Sequence, residues 1–131
     1  IAVRNARLDA TETAIGASAV LKIRSGAKPA NCGTADSGTA LVVINLPADW
    51  MGAAAAGVKS MSGTWTDLSA DAAGTAGHYR VYSSDGVTCR LQGAVTATGG
   101  GGDMEIDNTV IAAGQEVRVT TFTWTEGNAG A

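Results

Sequence analysis

The stretch Tyr79–Gly93, YRVYSSDGVTCRLQG, sets Asp85-Gly86 between two runs in which apolar and polar residues alternate. Period-two alternation on both sides of an Asp-Gly pair is the pattern of a β-hairpin, and it predicts a tight type I′ turn with positive φ at Gly86. In that register Tyr79 and Val81 share the core-facing side with Val87, Cys89 and Leu91. Arg80, Tyr82, Arg90 and Gln92 point the other way.

The same alternation returns near the end of the chain, where Val117 and Val119 oppose Arg118 and Thr120. Between these segments turn residues recur at roughly 8 to 12 positions, the spacing of all-β sandwiches and barrels. Strands are predicted near 19–24, 40–46, 63–68, 77–83, 87–97, 104–107 and 116–125, with a further short one at 110–112. The expected fold is mainly β, an antiparallel β-sandwich with jelly-roll connections as one form of it. Its core draws on Val81, Cys89, Leu91, Val117 and Val119.

Ahead of this body, IAVRNARLDATETAIG places Ile1, Leu8 and Ile15 at heptad spacing with alanines beside them and stops at Gly16. That is an amphipathic helix with a narrow apolar stripe and a glycine stop. A helix this short is marginal alone in water, so it must dock on something. Residues 1–16 are therefore read as a helix or arm, and 17–131 as the β-sandwich domain.

The chain is 131 residues long, a length that suits one core. It is 45% hydrophobic, but much of that is alanine and only 5% of residues are aromatic, which predicts a thin core completed by neighbouring subunits. The net charge of −3 comes without a Lys/Arg cluster, which argues against nucleic acid as a partner. No run approaches the roughly 18 apolar residues of a membrane-spanning helix, and the start lacks a signal-peptide pattern, so no membrane role is expected. The Gly99–Gly102 run reads as a flexible hairpin tip, and the ending EGNAGA as a loose tail.

Catalysis would rest entirely on the one histidine, His78, with no G-x-S-x-G near it. The scattered Asp and Glu residues single out no acid–base pair. GGGGDMEIDN matches neither a calcium nonapeptide nor a phosphate loop, although Asp103, Glu105 and Asp107 alternate along one strand face. No catalytic, cofactor or metal site is expected. Trp65 and Trp124 are read as core anchors. The interface candidates are Ile1, Leu8 and Ile15, with Trp50 and Met51 as the next patch. Cys32 and Cys89 lack metal or redox spacing and are read as free thiols, the alternative being a disulfide that staples distant parts.

Together RNARLDATETAIG, NLPADWM, GTWTDLSADAAGTAGHYRVYSSDGVTCRLQG and the ending GGGGDMEIDN…IAAGQEVRVTTFTWTEGNAGA resemble a group of small Gly/Ala/Thr-rich virion proteins of tailed bacteriophages. The resemblance spans nearly the whole chain but rests on turn and strand signatures. It implies a non-enzymatic structural component of the virion, assembled in the host bacterial cytoplasm. A capsid decoration protein is the first expectation, a trimer bound to the major capsid protein. A tail-associated or fibre protein and a carbohydrate-binding adhesion module are the alternatives.

Overall fold

The computed structural model describes residues 2–125, and it is mainly β behind one helix. Helix α1 spans Ala2–Ile15 and is followed by β1 Val20–Ser25, β2 Ala40–Asn45, β3 Val58–Ser60, β4 Thr66–Asp67 and β5 Gly74–Tyr82. Then come β6 Cys89–Ala97, β7 Met104–Ile106, β8 Val110–Ile111 and β9 Val117–Thr125. The strands form one sheet in the order β2-β1-β5-β6-β7-β9-β3, with β4 also on β9 and β8 on β5. Only β6–β7 is parallel among the described pairs.

The sheet curls almost into a barrel. Beyond β4 the chain runs along the free edge of β2, where Asp71 N–H donates to Leu41 O at 2.8 Å and Val43 N–H to the Asp67 carboxylate at 3.3 Å. That contact blunts an edge that would otherwise invite pairing with another chain. Inside the curl Leu21, Ile23, Val81, Met104, Ile106, Val117 and Val119 are buried. Each large side chain taken fully out of water stabilises the fold by about 1.5–3 kcal/mol. Four of the six aromatics pack contiguously: Trp50 on Trp65 at 6.0 Å, Trp65 on Phe122 at 5.4 Å, and Phe122 edge-on to Tyr79 at 5.3 Å. This stack thickens a core that composition alone predicts to be thin.

The 79–93 hairpin is present, but its turn is not type I′. Ser83 O accepts from Gly86 N–H at 2.9 Å, and Ser83 N–H donates to Thr88 O at 3.0 Å, which leaves a four-residue connection. Gly86 has the expected positive φ of 72°, while Asp85 is not among the positive-φ residues. Instead the Asp85 carboxylate accepts from Val87 N–H, Thr88 N–H and the Thr88 hydroxyl at 2.8, 3.0 and 2.7 Å, an Asx-type closure. Val87 consequently lies in the turn, 78% exposed, and not on the core face.

A second correction follows from register. Val81 pairs with Leu91, but Tyr82 pairs with Cys89, so one extra residue, Arg90, bulges from β6. The slip turns Cys89 to the outer face shared with Tyr82, where it is joined to Cys32 in a disulfide; the pair is not free thiols. Leu91 stays half-buried against the core.

The glycine run joins parallel neighbours and is not a hairpin tip. Parallel neighbours usually need a crossover of about a dozen residues, yet β6 returns to β7 through 98–103. Gly99 and Gly101 take φ of +88° and +81°, and a Cβ on Gly100 or Gly102 would come within 2.7 or 2.8 Å of Thr96. Two glycines thus supply left-handed backbone and two supply room. The Glu105 carboxylate closes the turn by accepting from Gly99 and Gly101 N–H at 3.2 and 3.3 Å. The tail EGNAGA lies outside the described residues, as does the side chain of Trp124, which sits in β9 opposite Lys59.

Candidate functional site

Helix α1 docks on its own body. Gly16, at φ +97°, ends it, and Gly16 N–H donates to Glu12 O at 2.9 Å. The positions that meet the body are Asn5, Leu8, Asp9, Glu12 and Ile15, a stripe with helical spacing. Their carboxylate and amide oxygens accept from the backbone of the 51–57 segment. Glu12 bonds Met51 N–H at 3.1 Å, Asp9 bonds Ala54 N–H at 3.1 Å, and Asn5 bonds Gly57 N–H at 2.9 Å.

Under the stripe the Lys59 ammonium, 2% exposed, meets Asp9 at 2.6 Å and Glu12 at 2.9 Å. Burial pulls its pKa down, but the bonds to the two carboxylates outweigh that, and the ammonium is held above the ordinary lysine value. Asp9 is correspondingly held below the ordinary carboxylate value by Lys59 and by Ala54 N–H.

This docking decides the fate of the predicted interface residues. Leu8 and Ile15 are buried at 5% and 7% exposure by the chain itself, and Trp50 and Met51 at 0% and 1%. The Trp50 indole N–H caps Gly16 O at 3.0 Å. None of the four is a free apolar patch, because the helix and the 49–60 segment cover one another. Ile1 lies outside the described residues. The exposed large apolar side chains are instead Leu68, Val87 and Val110, 65% exposed or more, followed by Val3. Sequence patterning marks Leu68 and Val110 only as strand positions and not as exposed ones: Leu68 directly follows β4 and Val110 opens β8, each two residues long.

The most polar constellation lies on the outer face of β1–β5–β6, opposite the core. Cross-strand pairing sets Lys22 beside Arg80 and Arg24 beside His78, with Gln92 next to Arg80 on β6. Loop 26–38 folds over this face. Its Asp36 carboxylate accepts from Arg80 Nη1 and the Tyr82 hydroxyl, both at 2.7 Å, through one oxygen, and from Arg24 Nη2 at 3.1 Å through the other. Arg80 Nη2 donates to the carbonyls of Asn31 and Thr34 at 3.1 and 3.0 Å, and its Nε to Gln92 at 3.2 Å. Gln92 in turn donates to Pro29 O at 2.7 Å.

The electrostatics match that geometry. Burial works to raise the Asp36 pKa, but the Tyr82 hydroxyl and the two guanidiniums prevail and hold it below the usual carboxylate range. Burial, then the bond to Asp36, pushes the Tyr82 phenol up. Two forks and a hydroxyl converging on one point form a carboxylate-recognition arrangement, here filled by the chain's own Asp36.

His78 lies at the root of this loop. Its Nδ1 is 2.9 Å from Gly26 O, and its Nε2 is buried without a partner, as is Arg24 Nε. Gly77 allows the close approach, since a Cβ there would fall 2.1 Å from Gly26 O. The expected run of acidic residues on β7 is used locally: Asp103 accepts from Ala94 N–H at 3.0 Å and Asp107 from Arg118 N–H at 3.3 Å. Among the described residues no group of three or more His, Cys, Asp or Glu is placed to hold a metal ion. Among the described residues no helix is long and apolar enough to cross a membrane. Two open surface depressions of about 370 and 330 Å³ flank Glu12–Ala17 and Trp65–Arg118 respectively. Comparison with family models, with curated proteins and with solved structures returns no match to the chain.

Proposed function

We propose that this protein is a structural, non-catalytic component of a tailed-phage virion, a decoration protein seated on the lattice of the major capsid protein. The observation that carries this reading is how the polar side chains are spent. Asp9, Glu12 and Lys59 fasten the helix, Asp36 with Arg24, Arg80 and Tyr82 fastens loop 26–38, and Glu105 closes the glycine turn. Among the exposed side chains are the large apolar Leu68, Val87 and Val110, which suit burial against protein neighbours. In a trimeric assembly those residues take over the attachment role for which sequence alone nominates the helix.

A tail-associated role draws support from one feature. Strands β5, β6 and β9 are nine residues each, and long strands favour ring-forming sheets. The sugar-binding alternative loses support because Trp50 and Trp65 are buried in the core and offer no stacking platform. Density for the intact particle, read together with copy number per virion, tests the proposal. Many copies on the capsid lattice support decoration, a ring of copies along the tail supports the tail role, and absence from the particle refutes both.

A further inference from the structure

We propose that loop 26–38 is a redox-latched cover. The Cys32–Cys89 disulfide holds it over the Arg24–Arg80–Tyr82 cluster, and reduction of that bond releases it and uncovers a cationic patch while the β body stays folded. The inference is independent of the virion reading.

The loop has little else to hold it. None of residues 26–38 belongs to the hydrophobic core, and nearly all are exposed. Its remaining fastenings are polar: the Asp36 ion pairs, the Tyr82 hydroxyl on Asp36, the His78 Nδ1 contact with Gly26 O, and carbonyl oxygens that accept from Arg80, Arg24 and Gln92. Water can replace each of these bonds, so each contributes only modestly to closure, those to charged groups most. The covered groups themselves favour release. Arg80 is 2% exposed, and Arg24 Nε and His78 Nε2 are buried without partners, so hydration is gained when the loop lifts. The covalent bond is what tips the balance toward the closed form.

Both sulfurs belong to half-buried residues, so a small thiolate can reach them. The exchange balances as follows. A thiolate of an external dithiol attacks one cysteine sulfur, the S–S bond breaks, and the departing cysteine sulfur takes a proton. The second thiol of the reductant then displaces the mixed disulfide. The dithiol leaves oxidised by two electrons, and Cys32 and Cys89 both end as thiols. The bond joins the loop to the start of β6, beyond the bulge, and leaves the β1–β5 register and the Tyr79–Leu91 part of the hairpin untouched. Release would expose Arg24 and Arg80 as a basic patch beside Lys22 on a chain of net charge −3.

The test compares oxidised protein with protein held in dithiothreitol. It reads hydrogen exchange by mass spectrometry and labelling of Arg24 and Arg80 by phenylglyoxal. On reduction, exchange of the Gly33 and Thr34 amides and labelling of Arg80 should each rise about tenfold or more, while the amides of Leu21, Ile23 and Val81 remain the slowest to exchange, losing no more protection than the overall drop in stability accounts for. Reoxidation should reverse both changes, and Cys32→Ser should show the open pattern without reductant. If Cys32→Ser does not fold, the dithiothreitol titration of the parent chain supplies the same readouts. Arg80 still protected in the fully reduced chain would overturn the proposal. So would exchange in β1 and β5 as fast as in the loop, which would mean that reduction unfolds the β body.

Discussion

Replacing both Cys32 and Cys89 by serine should lower stability by about 2–4 kcal/mol. The two residues are 57 apart in sequence, and closing a ring of that length removes unfolded-chain entropy equivalent to about 4 kcal/mol at 25 °C. Freedom regained by loop 26–38 in the folded variant offsets part of this, which is why the range extends downward. For a chain of this length each kcal/mol corresponds to about 3–5 °C, so the melting temperature should fall by about 6–20 °C. Urea titration followed by fluorescence of the buried Trp50 and Trp65 measures the loss by linear extrapolation. A loss below about 1 kcal/mol would refute the chain-entropy reasoning for this crosslink.

Gly102→Ala should cost about 1–3 kcal/mol, because its Cβ would lie 2.8 Å from Thr96 Cγ2. Thr96→Ala should relieve part of that, and strict additivity in the double-mutant cycle would show that the β6–β7 return is not packed this way. The Asp85 carboxyl is held down to about 2 by Thr88 and Val87 N–H and the Thr88 hydroxyl. A depressed carboxylate stabilises above its ordinary pKa of about 3.9 and loses that contribution as pH falls toward the folded value, so the hairpin should loosen in that window. Amide exchange at Val87 and Thr88 across the acid range checks this, and Asp85→Asn should flatten the profile. Replacing Asp9 and Glu12 together by Asn and Gln strands the buried Lys59 charge and should destabilise more than Lys59→Met, which keeps most of the stem and removes the charge. Thermal melts in the reverse order would sink the account of helix docking. By the same reasoning, deleting residues 1–15 should unfold the body and not merely loosen an arm.

Sequence alone determined what depends on neighbours along the chain. The alternation around Val81 and Val119, the helix ending at Gly16 and the positive φ at Gly86 are local consequences of side-chain period and glycine geometry, and all are present. Of the short strands β3 escaped, three residues being too few for a period to show, whereas β4, β7 and β8 fall within segments read as strands. Tertiary structure decided everything that depends on register or on what covers a surface. A single bulged residue, Arg90, moved Cys89 from the apolar face to the loop face, and no alternation count anticipates a bulge. Arg80 and Tyr82, read as outward and solvent-facing, are buried because loop 26–38 brings Asp36 onto them from 44 and 46 residues away. The same holds for Leu8, Ile15, Trp50 and Met51. Hydrophobic spacing marks a residue for burial, but only the folded chain determines whether its own backbone or another molecule does the burying.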